Sequence, residues 1–185
     1  NYLEEKYGLS YDEYYGLFGK VMKKLYMIVV TMGIGKASVS QELKKQLNNA
    51  VFLDGDWCWD ANPFQVTEET KIMVVENICF LLNQFLHCSA YKNIIFCWVM
   101  HEQSIINDII SKLDLLDCNV KSISLVCSKE ALIDRLNKDV EKGIRKNDVI
   151  QRSIDCIELY DSLDTIKIDV SNKSIKETVE TISKL

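Results

Sequence analysis

Residues 25–47 read LYMIVVTMGIGKASVSQELKKQL: an apolar run, a turn punctuated by glycine, then Val39, Leu43 and Leu47 at four-residue steps. The run Leu25 to Val30 is short, β-branched and without alternation, the pattern of a strand buried on both faces. The spacing after it is that of an amphipathic helix. Between the two, Gly33 and Gly35 let the backbone curl so that successive amides point inward. The start of the helix adds positive potential, and Lys36 stands at its mouth. A strand, a curled turn and a helix in this order form a cradle for an anion.

Four further runs share the character of the first: Val51 to Leu53, Asn93 to Met100, Lys121 to Cys127 and Thr165 to Val170. Helical periodicity fills the intervals, with Val75, Ile78, Leu82, Phe85 and Leu86 recurring at short helical steps, and the last helix opens on a capping box made by Ser174 and Glu177. Strand and helix alternating five times predict an α/β protein, a three-layer α/β/α sandwich around a five-stranded parallel sheet whose ligands bind beyond the carboxyl ends of the strands. With 7 Gly and 1 Pro, nothing marks an internal linker, so residues 22–185 are expected to form one domain. Residues 1–21 differ, crowding Tyr2, Tyr7, Tyr11, Tyr14 and Tyr15 among three glycines. They read as an appended or upstream extension that packs weakly, or else as a short helix closing a sheet edge.

Composition narrows the function classes. Of the 185 residues 48% are hydrophobic and 26% charged, and the formal net charge of −5 offers no electrostatic footprint for nucleic acid or an anionic membrane. The longest apolar run, Ile94 to Met100, falls far short of the roughly 20 residues a bilayer-spanning helix needs. No secretory leader pattern opens the chain, so the expectation is a cytoplasmic protein. The 7 cysteines form no CxxC pair and read as reduced core thiols, and His87 and His101 match no metal-ligand spacing.

The loop Thr31-Met32-Gly33-Ile34-Gly35-Lys36-Ala37-Ser38 carries the chemistry. Against the phosphate-binding pattern GxxxxGK[ST], Gly35 and Lys36 fall in place, and the lysine can reach the β- and γ-phosphates of a nucleotide. Val30 stands where that pattern has glycine and Ala37 where it has a magnesium-binding hydroxyl, which Ser38 would replace only through a distorted first turn. A dinucleotide GxGxxG reading fails, because Ser38 takes the third glycine position. At the end of the second strand, Leu53-Asp54-Gly55-Asp56 sets two carboxylates opposite the loop, suited to holding magnesium or taking a hydroxyl proton. Taken alone, the Asp-Gly pair also reads as a turn that ends a strand.

Together the loop and the LDGD segment resemble the small P-loop kinases, the group of nucleoside monophosphate, shikimate, gluconate and adenylylsulfate kinases, over residues 22–185. The resemblance implies the P-loop nucleoside triphosphate hydrolase fold, ATP and Mg2+ as cofactors, a small-molecule acceptor and a mobile lid around 138–152. It places Thr31 to Ser38 around the phosphates, Asp54 as magnesium partner, Asp56 as proton acceptor and Arg135 near the adenine. Arg145 and Arg152 would come from the lid to the transferred phosphoryl group. Asp139 stands where many relatives carry a second basic residue, and Ile166 to Asn172 is similar to the turn that borders the adenine. The acceptor would meet Asp56, Trp57, Trp59, Phe64 and His101, with Trp98, Met100, Glu102 and Gln103 on the same cleft. The expected activity is transfer of the γ-phosphoryl group of ATP to a hydroxyl or phosphate. Ala37 motivates an alternative, a nucleotide-binding module with weak or lost turnover, and a zeta-toxin-like kinase of sugar nucleotides is a third reading.

Overall fold

The computed structural model describes residue 5 and residues 8–18, 22–144 and 148–185. Five strands, β1 (Lys23–Val30), β2 (Ala50–Asp54), β3 (Asn93–Trp98), β4 (Cys118–Val126) and β5 (Ile166–Asp169), form one sheet in the order β2-β3-β1-β4-β5. Every pairing is parallel, with Ile28 opposite Cys97 on one side of β1 and opposite Ile123 on the other. The helices are α1 (Tyr11–Phe18), α2 (Lys36–Gln46), α3 (Glu68–His87), α4 (Gln103–Ser111), α5 (Lys129–Glu141), α6 (Asp148–Asp155), α7 (Ile157–Asp161) and α8 (Ile175–Ser183).

Burial explains the strand composition. Tyr26, Ile28 and Val30 of β1 join Val39 and Leu43 of α2, Leu132 and Leu136 of α5, and Val179 and Ile182 of α8 in one core. Leu25, Met27 and Val29 face the other way into a second core, with Val74, Ile78 and Leu82 of α3, and Ile106 and Ile109 of α4. A central strand covered on both faces must be apolar at every position, hence the missing alternation. The edges depart from that expectation: β5 buries only Ile168, and β2 is half-buried at Ala50 and Val51, because an edge strand lacks a neighbour on one side.

The crossovers create the crevice. The helix after β1 lies on one face of the sheet and the helix after β3, its neighbour, lies on the other. The loops leaving these adjacent strands therefore diverge, and a cleft opens between them at the carboxyl end of the sheet. The helix termini are satisfied locally: Thr67 and Thr70 form a capping box on α3, and Ser174 and Glu177 form the one anticipated on α8. At the other end of α3, buried Lys23 donates to the carbonyls of Phe85 and Cys88, compensating the negative end of that helix, while burial lowers its pKa. The N-terminal segment contributes α1, whose buried Tyr14 donates to the carbonyl of His87 at 2.7 Å.

All seven cysteines are free, and burial pushes the Cys97 thiol up to about 12 and those of Cys79 and Cys118 up to about 11.

The strand that carries the glycine turn is anchored from α7, where buried Tyr160 donates its hydroxyl to the carbonyl of Val30 at 2.8 Å. Replacing it (Tyr160→Phe) strands that buried carbonyl and is expected to destabilise the fold by about 1 kcal/mol, read as a lower urea midpoint at unchanged slope. An unmoved midpoint would show that the bond does not anchor the strand.

Candidate functional site

The turn after β1 has the backbone its glycines imply. Gly33 and Gly35 adopt φ of 88° and 90°, in the left-handed region where side chains are strained. They are held there for different reasons. A Cβ on Gly33 would lie 2.4 Å from Cδ2 of Leu136, so α5 packs directly on the turn, whereas a Cβ on Gly35 would meet nothing within 4 Å. Gly35 thus opens the turn towards solvent at the N-terminus of α2, which has no side-chain cap, and the first amides of the helix are left for a ligand.

Lys36, the first residue of α2, turns its ammonium across the cleft to the end of β2. Its Nζ lies 3.0 Å from Oδ1 of Asp54 and also bonds Oδ2 of Asp56. Asp54 is buried, and its Oδ1 additionally accepts the amide of Asp56 at 3.1 Å, starting the 3-10 turn Gly55–Cys58; Asp56 keeps half of its side chain exposed. Burial alone would lower the Lys36 pKa, but hydrogen bonds and charge from the two aspartates outweigh it and raise the pKa above the ordinary lysine value. Lys36 is therefore an ammonium at every physiological pH, and its charge is lost only as pH rises through that elevated value.

Beside this triad lies a cavity of about 720 Å3 lined by the whole of Met32 to Ser38, together with Asp56, Val99 and Arg135 among others. Its cations are Lys36, Arg135, Lys138, Lys142 and Lys173, against the carboxylates of Asp56 and Asp139. An acidic protein thus concentrates positive charge where the curled turn opens. Thr31 is buried beneath the turn. Arg135 Nη2 donates to the carbonyls of Val170 and Ser171, tying α5 to the turn after β5; Asp169 Oδ1 accepts from the amide and hydroxyl of Ser171, which lowers the Asp169 pKa. Lys138 and Lys173 reach the cavity without having stood out in the sequence. Lys138 lies three residues after Arg135, one helical turn on, and Lys173 follows the turn after β5, so the available signals were helical phase and topology.

Among the described residues, other anticipated side chains do not line the cavity. Arg145 falls outside the described residues. Arg152 does not line the cavity; it pairs with Asp148 at 3.1 Å on the exposed face of α6, one turn away along its own helix. The aromatic group divides around the sheet edge. Exposed Trp57 meets Phe52 in one core at 5.2 Å between ring centroids, while Trp59 meets Phe64 at 5.0 Å and Trp98 at 5.9 Å on the other face. Trp98 also closes on Gly55, where a Cβ would come within 2.5 Å of its ring, so glycine between the two aspartates is required by packing. His101 is partly exposed, 3.5 Å from Glu102. Among the described residues no cluster of three or more His, Cys, Asp or Glu side chains has the arrangement of a metal site.

The sequence model of a family described as an AAA domain matches residues 27–154, from β1 into α6. No curated protein sequence matches the chain. Among solved structures, a gluconokinase from Sinorhizobium meliloti 1021 superposes with a TM-score of 0.63 at 14% identity, over 87% of this chain and 90% of that one. The tunicamycin resistance protein of Deinococcus radiodurans gives 0.64 at 15%, over 88% and 94%. Shikimate kinase from Acinetobacter baumannii in complex with shikimate gives 0.58 at 16%, over 91% and 94%. At these identities the likeness is one of fold.

The two glycines respond differently to a side chain. Gly33→Ala combines left-handed strain with an overlap on Leu136 and is expected to cost about 2–4 kcal/mol; Gly35→Ala meets strain alone and costs about 1 kcal/mol. Chemical denaturation of both variants measures the difference, and equal losses would mean that α5 does not pack on the turn.

Proposed function

This chain belongs to the AAA-domain family and has the fold of the small P-loop kinases, and from that premise we propose that it transfers the γ-phosphoryl group of ATP to a small-molecule hydroxyl. One observation carries the reading: the first lysine of α2, at the mouth of an uncapped glycine turn, reaches both carboxylates at the end of β2, two strands away in the sheet, beside a cavity rich in cations. Phosphoryl transfer requires charge neutralisation and alignment more than covalent chemistry, and these groups supply both.

The turn amides and Lys36 bind the triphosphate, Lys36 exchanging its carboxylate partners for phosphate oxygens. Lys138 of α5 and Lys142 just after it add positive charge, and Arg135 holds the turn after β5 as one wall. Asp56, half-exposed at the mouth, accepts the proton of the attacking hydroxyl. A carboxylate beside a phosphate site is a donor of the kind Mg2+ would take. Asp54 would hold the ion, which when bound would supply charge neutralisation for the phosphates. Arg145 and Arg152 belong to this proposal as lid residues that would approach on closure.

A second reading, a nucleotide-binding module without turnover, is favoured by two features of the same turn. Ala37 supplies no hydroxyl, and Lys36 already engages Asp54, the carboxylate a metal would use.

Isothermal titration with ATP, with and without magnesium, followed by product detection over a panel of acceptors, separates the readings. The kinase binds more tightly with magnesium and forms ADP; binding indifferent to magnesium with no product supports the module. Lys36→Met is expected to lower kcat/KM by about 100-fold or more, and Ala37→Ser to raise magnesium-dependent activity. Full activity in Lys36→Met would remove the lysine from the mechanism.

A further inference from the structure

Charge divides the crevice at Asp56. On the donor side the cavity carries five cations against two carboxylates. On the far side, the chain from the 3-10 turn to the first turn of α3 (57–71) and the segment leaving β3 (98–104) carry Asp60, Glu68, Glu69 and Glu102, against Lys71 and His101 as the only basic residues, while Asp54 and Asp56 at the boundary pair with Lys36. Both basic side chains stand beside an acid: Lys71 Nζ bonds Glu68 at 2.8 Å, and His101 Nε2 lies 3.5 Å from Glu102. Among the described residues of these segments there is no arginine. Carboxylates and phosphates are recognised by arginine forks or ammonium groups, and acids set around an anion oppose it. Here too stand Trp59 and Phe64, in edge-to-face contact, Phe64 being 56% exposed. Such rings offer an apolar surface to a sugar face or a planar ring, and a π-cloud to an ammonium.

We propose that the phosphoryl acceptor is a hydroxyl compound without negative charge, neutral or bearing an amine, whose apolar face packs on Trp59 and Phe64. This deepens the kinase reading and rests on it. In the transfer, the bond between the γ-phosphorus and the β,γ-bridging oxygen breaks. A bond from the acceptor oxygen to the γ-phosphorus forms, the hydroxyl proton passes to Asp56, and ADP leaves.

The test uses the full chain with ATP and magnesium, and acceptors matched for shape but not for charge: sorbitol, glucosamine and gluconate; uridine and uridine monophosphate; and shikimate. ADP formation is the readout, with tryptophan fluorescence reporting binding. Acceptors lacking negative charge are expected to have a kcat/KM at least about tenfold above their anionic partners, a gap that narrows as salt screens the acids. Phe64→Ala is expected to raise the acceptor KM severalfold with the loss in KM rather than kcat. Gluconate, shikimate or the monophosphate equalling or exceeding the uncharged compounds overturns the assignment, as does failure of every neutral and amine-bearing acceptor to bind. An unmoved KM in Phe64→Ala removes the packing surface. Failure of the kinase reading is distinguishable, since it appears as no ADP formation sensitive to Lys36→Met with any acceptor.

Discussion

The site depends on a lysine ammonium held between two carboxylates from a neighbouring part of the sheet. Lys36 belongs to α2 and the aspartates to the end of β2, so their meeting fixes the glycine turn against the strand end across the cleft. Asp54 is buried, and the Lys36 ammonium and the Asp56 amide give its Oδ1 the partners that water would otherwise supply. The same ammonium is the group a triphosphate would claim. On the proposed reading, phosphate oxygens would replace the carboxylates around this ammonium.

Around that pair the fold imposes strong asymmetry. The sheet order puts diverging loops side by side, and α5, packed on Gly33 through Leu136, brings Arg135 and Lys138, with Lys142 at its C-cap, to one side of the opening. The segments after β2 and β3, which leave the same end of the sheet, carry Asp60, Glu68, Glu69 and Glu102 along with Trp59 and Phe64. A net charge of −5 conceals this separation, because the chain average mixes two surfaces that the topology keeps apart. Local potential rather than net charge governs what each side can bind.

Much of this was legible in the sequence for a physical reason in each case. Unbroken apolar runs such as Leu25 to Val30 mark strands covered on both faces, and the capping box at Ser174 is a local hydrogen-bond pattern that needs no distant partner. Gly33, Gly35 and Lys36 were readable because the demands of the turn are local too. The cluster Trp57, Trp59 and Phe64 was read as one surface, whereas the 3-10 turn sends Trp57 to one face of the sheet and Trp59 to the other. Arg152, plausible by position, pairs with Asp148 on its own helix.

By itself the sequence determined the alternation of strands and helices, the curled turn and the two aspartates, since each rests on periodicity, glycine stereochemistry or residues close along the chain. Only the tertiary structure decided that Lys36 reaches both aspartates, that Lys138 and Lys173 line the same cavity, and that Gly33 and Gly55 are held small by Leu136 and Trp98. Those facts depend on which strands are neighbours and on which face each crossover helix lies. Such choices are made by the burial of two separate cores across the whole chain, and no short stretch of residues encodes them.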